Sequence, residues 1–156
     1  MEIKEPGTAL GGSGGSRATQ TPWGELITRK VADERTGGAY SLFEVEVEPK
    51  GGPPPHVKHR EDECLYVLEG RFEFLIEAEK MEAGPGSMVY VPKGELHAFE
   101  NTGDTVGKLL LIQTPGGIYE HLLREAGKPA AEGILDATRF VGIAAGYGME
   151  VVPLGA

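Results

Sequence analysis

Residues 53–70 read PPPHVKHREDECLYVLEG. Two histidines, His56 and His59, flank Lys58, and the acids Glu61, Asp62 and Glu63 lead into the apolar run Cys64 to Leu68. Three prolines cannot donate to a sheet ladder, so they mark a strand boundary, and the apolar run with its closing Gly70 reads as the next strand. Along an extended segment successive side chains alternate between faces. His56 and Lys58 therefore share one face and His59 takes the other, unless a bulge shifts the phase.

The same period of two extends outward from this segment over residues 23–114. In SLFEVEVEP, Phe43, Val45 and Val47 alternate with Glu44, Glu46 and Glu48; in RFEFLIE, Phe72, Phe74 and Ile76 alternate with Arg71, Glu73 and Glu77. Each pattern is that of a half-buried strand. The turn formers TGG, GGPPP, EAGPG, PKG and NTGD separate the runs at intervals typical of an antiparallel sandwich or barrel. CLYVLEG and KLLLIQT are apolar on both faces, which predicts that something also covers their outer surface, either a second subunit or the ends of the chain. Tyr66, Tyr90 and Phe99 fit the alternation as core residues.

The end of the chain has a different period. GGIYEHLLREAG predicts a helix presenting Ile118, Leu122 and Glu125, with Leu123 and Ala126 beside them and Gly127 and Pro129 as the stop. A second helix is expected from Asp136, as N-cap, to about Tyr147, with Phe140, Ile143 and Ala144 as its apolar stripe. Both are expected to pack outside the barrel. The organisation read from these patterns is a Gly- and Ser-rich segment at 1–22, flexible or exchanged between subunits, a barrel at 23–115 and a helical segment at 116–156.

With 156 residues the chain suits one domain with its own core. The net charge of −9, with scattered Lys and Arg, argues against nucleic acid as a partner. A lone cysteine, Cys64, and the lack of a long apolar run predict a reducing, cytoplasmic setting with no membrane partner.

GSMVYVPKGELHAFEN at 86–101 carries Gly86, Pro92, Gly94, His97 and Asn101 at the spacing G-x5-P-x-G-x2-H-x3-N. Together with His56, Glu63 and Gly70, which match H-x-H-x4-E-x6-G except at Lys58, these residues resemble the two motifs of the cupins, in particular the small single-domain bacterial cupins similar to quercetin dioxygenases. The resemblance covers residues 37–117 and, more weakly, YGMEVVPL at the end. It implies an all-β double-stranded β-helix, the cupin jelly-roll barrel, here with a short helical C-terminal segment. It also implies a divalent transition metal (Fe, Mn, Cu, Ni or Zn) inside the barrel, and a homodimer.

His56, Glu63 and His97 would make a two-histidine, one-carboxylate set with open positions, suited to non-haem iron and to dioxygenase chemistry on a small aromatic or keto-enol substrate. His59 joins that set only through a bulge. Glu63 doubles as a candidate proton acceptor. His121 reads as a surface residue. Lys58 stands where the motif has a second histidine, and an ammonium has no lone pair to offer a metal. Three outcomes follow. Lys58 swings aside from a three-ligand metal; or it pairs with Glu63 in a metal-free cavity and receives an anionic ligand, as in a sensor, carrier or isomerase; or burial neutralises it into a base or Schiff-base nucleophile.

Overall fold

A computed structural model describes residues 18–126, 128–129 and 136–152. Expectations for residues 1–17, and Gly127 as a helix stop, fall outside the described residues.

Among the described residues, twelve strands form two antiparallel sheets. The first runs β11 (Lys128–Pro129), β1 (Ala18–Gln20), β2 (Glu25–Val31), β3 (Ser41–Val47), β10 (Gly107–Thr114), β5 (Asp62–Glu69) and β8 (Met88–Val91). The second runs β12 (Met149–Val151), β4 (His56–Lys58), β9 (Leu96–Asn101), β6 (Phe72–Ile76) and β7 (Glu79–Ala83). The fold is the expected double-stranded β-helix, and its sheets also recruit β1, β11 and β12 from beyond residues 23–115. Helices α1 (Ile118–Ala126) and α2 (Ala137–Gly146) follow the barrel. Among the described residues no helix is long and apolar enough to cross a membrane.

The alternation read from sequence sets the inner faces. Phe43, Val45 and Val47 of β3, Phe72 and Phe74 of β6, and Leu109 and Leu111 of β10 are buried in one core. Asn101, at the end of β9, is fully buried and closes the following turn: its side-chain amide donates to the Val47 and Thr105 carbonyls at 2.9 Å each, and its Oδ1 accepts from the Gly103 N–H at 2.9 Å. Gly52, at φ +138°, lies so close to β9 that a Cβ there would collide with the Phe99 carbonyl oxygen, so glycine is required where the proline loop crosses the sheet.

Three expectations are corrected. Phe99 is in the core, but Tyr66 and Tyr90 are 40% and 55% exposed, because β5 turns Glu63, Leu65 and Val67 inward and leaves Tyr66 on the outer face. On α1 the buried side is Tyr119, Glu120, Leu122, Leu123 and Ala126, whereas Glu125 is exposed. Glu120 turns inward because its carboxylate is fully used: Oε1 accepts from Ser41 Oγ at 2.6 Å and the Asp33 N–H at 3.0 Å, and Oε2 from Arg29 at 3.4 Å. The third correction concerns where α1 sits. The helix is not confined to the barrel's exterior, since Tyr119 reaches the interior cavity. Helix α2 behaves as read, with Asp136 Oδ1 accepting from the Thr138 N–H at 2.9 Å and Phe140 packed edge-on against Trp23.

Candidate functional site

The candidate site is built where the two sheets face each other. Strand β4 sits between β12 and β9 without a register shift, so its phase is the simple one: His56 and Lys58 point inward. His59 lies outside, half-exposed, with Nε2 3.0 Å from Glu150. The bulge that would have brought it to the other histidines is absent. His56 pairs directly with His97 of β9, and their rings stand 4.2 Å apart between centroids. Glu63 enters from β5 in the opposite sheet, with Gln113 of β10 as its register partner. His121 is on the exposed side of α1.

Glu63 is the hub. Its Oε1 lies 2.8 Å from Lys58 Nζ and 3.4 Å from Gln113 Nε2, and its Oε2 lies 3.1 Å from His97 Nε2. Lys58, Glu63, His97 and His56 are only 2–5% exposed. Lys58 Nζ also stands 4.1 Å from the centre of the Tyr119 ring, a cation–π contact. The backbone sets the imidazole tautomers. His56 Nδ1 is 2.8 Å from the Pro54 carbonyl and His97 Nδ1 is 3.0 Å from the Glu95 carbonyl, and since a carbonyl can only accept, both Nδ1 atoms carry a hydrogen. His56 thus directs its Nε2 lone pair inward. On the His97–Glu63 contact, a neutral Nε2 and a carboxylate oxygen would both be acceptors, so a proton lies between them.

The electrostatics follow from burial and from this pairing. Burial alone would raise Glu63, but Lys58 and the His97 hydrogen bond outweigh it and hold its pKa well below the usual carboxylate range. Burial alone would lower Lys58, but Glu63, Glu61 and Glu25 outweigh that and keep it above its usual value, so it is a cation and not a free amine. The Schiff-base alternative for Lys58 loses its physical basis. Burial, then His97 and Lys58, pushes His56 down to about 3 and keeps it neutral.

Three acceptors or acids in this region escaped the sequence reading. Gln113 is fully buried beside Glu63, and its Oε1 has no hydrogen-bond partner among the described residues. Glu61, in the short acidic segment before β5, is 4% exposed, with Oε2 also unpartnered among the described residues. Glu25 of β2 lines the cavity. The legible signal for Gln113 is a polar residue on the inward phase of the otherwise apolar β10, and for Glu25 an acid two positions from Ile27 on one phase of β2; Glu61 carries no such signal, because its loop has no periodicity.

Burial raises both Glu25 and Glu61 to about 7. A carboxyl that holds its proton more tightly folded than unfolded contributes stability below its unfolded pKa, here 4.5, and loses it as pH rises through its folded value. Denaturant unfolding from about pH 5 to about pH 8 is therefore expected to show falling stability, with a shallower fall in Glu25→Gln. An identical slope in the variant would mean that Glu25 ionises in the fold as it does in water.

The interior cavity is small, about 20 Å³, and is lined by polar Glu25, His56, Lys58, Glu63 and Tyr119 together with Val45, Pro53, Leu65, Phe99, Leu111 and Met149. That volume admits about one water-sized group. The donor set present does not fit a resident divalent metal as arranged. Glu63 spends both oxygens on Lys58, His97 and Gln113, His97 spends Nε2 on Glu63, and a buried ammonium occupies the place of a ligand. Among the described residues, the group of three carboxylates whose oxygens do come within 4.8 Å of one another is Asp33, Glu34 and Glu120, where Glu120 is already engaged as the anchor of α1.

Comparison with known proteins agrees with this architecture. The Cupin domain family matches residues 43–113. A probable germin-like protein, subfamily 2 member 5, of Arabidopsis thaliana is 30% identical over 110 residues, covering 64% of this chain and 52% of the relative. The chain spans about half the length of the first curated relatives it matches. A predicted oxalate decarboxylase from Thermotoga maritima superimposes with a TM-score of 0.63 at 18% identity, covering 69% of this chain and 99% of the other. The polyketide cyclase RemF from Streptomyces resistomycificus does so with a TM-score of 0.56 at 26% identity, covering 64% and 73%.

Proposed function

This chain belongs to the cupin superfamily, and from that premise we propose that it acts on, or carries, a small oxygen-rich ligand without a resident metal, through acid–base groups centred on Lys58, Glu63 and His97. The observation that carries this reading is the 2.8 Å ion pair between two fully enclosed side chains, Lys58 and Glu63. Lys58 has three N–H donors and Glu63 takes one, so a single carbonyl or carboxylate oxygen of the ligand, the size of group that the cavity admits, reaches in and accepts from another. A fixed ammonium in a water-poor cavity stabilises negative charge as it develops on such an oxygen. The proton held between Glu63 and His97 is the one that the site gives or takes back. Removal of a proton from one carbon of an enolisable carbonyl compound and its return at the neighbouring position is an isomerisation, which balances with no external oxidant. A polyketide cyclase stands among the similar structures, by name a cyclase and not an oxygenase.

Elemental analysis of the untagged protein tests the reading. The expected result is a divalent metal content far below one per chain, and a thermal unfolding curve that chelator leaves in place. One tightly held metal per chain would overturn it.

A second reading, a metal-dependent oxidoreductase of dioxygenase type, draws on His56, whose inward Nε2 is disposed as an imidazole ligand. It requires an ion to displace Lys58 from Glu63, and oxygen uptake that disappears in Glu63→Ala.

The outer face of the first sheet supports the homodimer reading. Tyr66, Met88, Tyr90 and Ile112 are 37–61% exposed, and the register sets Cys64 beside Tyr90 and Ile112, and Tyr66 beside Met88, in one apolar stripe. Light scattering after size exclusion is expected to give twice the chain mass, and the chain mass itself would refute the dimer.

A further inference from the structure

Glu25 occupies the wall between two spaces. It lines the interior cavity with Lys58 and Glu63, and it also lines an outer groove of about 340 Å³ with Thr21, Pro22 and Glu48. The side chain is only 6% exposed, on the inward phase of β2 that it shares with Ile27. Thr21, itself buried, donates its hydroxyl to Glu25 Oε1 at 2.8 Å, and the Thr21 N–H bonds the Glu25 carbonyl at 3.0 Å. Among the described residues a carboxyl so placed has no structural ion pair to serve, unlike Glu63 and Glu120, and Thr21 engages one of its oxygens.

We propose that Glu25 is a proton relay: its carboxyl carries protons between the outer groove and the Lys58–Glu63 pair, with the Thr21 hydroxyl as its pivot. The step balances by itself. One oxygen of the carboxylate takes a proton from the Lys58 ammonium, the other releases one to water in the groove, Lys58 regains its proton by the reverse step, and no electron moves. The charged or titratable groups facing Glu25 across the cavity are Lys58 and His56 from β4, Glu63 from β5 and Tyr119 from α1. Burial places the Glu25 pKa at about 7, where both of its forms are populated at neutral pH, as a relay needs.

This inference deepens the acid–base reading of the site and rests on it, but its test reads the route alone. In the full chain labelled with 15N-lysine, NMR follows the exchange of the Lys58 ammonium protons with water. In Glu25→Gln, which keeps the shape but cannot pass a proton, that exchange is expected to slow by roughly a hundredfold, and Glu25→Asp is expected to restore much of it. Backbone amide exchange at Val45 and Leu65 should stay unchanged, which separates loss of the relay from loosening of the barrel. A Lys58 signal too fast to observe in the wild type should appear in Glu25→Gln. Equal exchange in both proteins, or a signal absent from both, overturns the relay. Should Glu25→Gln not fold, Thr21→Val leaves the carboxyl but removes its pivot, and unchanged exchange there is the refuting result. Metal analysis bears on the acid–base reading separately, so the two can fail independently.

Discussion

Lys58→Met is expected to lower the unfolding free energy at neutral pH by about 3–5 kcal/mol, because it strands the Glu63 carboxylate in a buried site without its cation. In a domain of this size that corresponds to a fall in Tm of roughly 10 °C. The deficit should shrink on acidification. Without Lys58, burial dominates the Glu63 carboxyl and raises its pKa, so the variant regains stability below that value by taking up a proton. In the wild type the sign is opposite: Glu63, held below its usual range, contributes stability above about pH 4.5 that is lost as pH falls through its folded pKa. The double variant Lys58→Met with Glu63→Leu should recover most of the loss, since an apolar pair of similar volume often equals a buried ion pair or exceeds it by about 1–4 kcal/mol. Urea unfolding with unchanged m-values checks all three proteins. A loss under about 1 kcal/mol in Lys58→Met would show that the pair is not formed in solution.

Lys58→His is expected to convert the cavity into a metal site. The substitution removes the cation that occupies Glu63 Oε1 and places an imidazole lone pair on the inward phase next to His56, so four donors converge from β4, β5 and β9. Metal content should rise from far below one to about one per chain. At a hundredfold excess over Kd, the added ion stabilises the fold by about 2.7 kcal/mol. Adding His97→Ala to this variant should abolish both the binding and the stabilisation. If Lys58→His binds no more metal than the wild type, then the ammonium is not what keeps ions out, and the shape of the 20 Å³ cavity is.

These expectations also locate how much of the site was legible beforehand. The phase rule placed His56 and Lys58 inside and His59 outside, because it depends only on neighbouring residues along one extended strand. The motif spacing brought His97 and Glu63 to the same region. The partners of those residues were another matter. Lys58 lies on a strand of one sheet and Glu63 on a strand of the other, and nothing local requires their side chains to touch. The outward turn of Tyr66 and Tyr90 was equally hidden, since a strand apolar on both faces does not reveal which face meets the core.

What the sequence by itself determined is the strand periodicity, the turn positions, the capped start of α2 and the presence of Lys58 where the motif it resembles has a histidine; all of these are properties of residues a few positions apart. Only the tertiary structure decided what that lysine does. Closing two sheets over one cavity brings Glu63, Glu25 and Tyr119 to it from three different elements, with Gln113 bonded to Glu63. Burial there turns the question of charge into one of partners. With Glu63 at 2.8 Å, and Glu61 and Glu25 beside it, Lys58 remains a cation against the pull of burial.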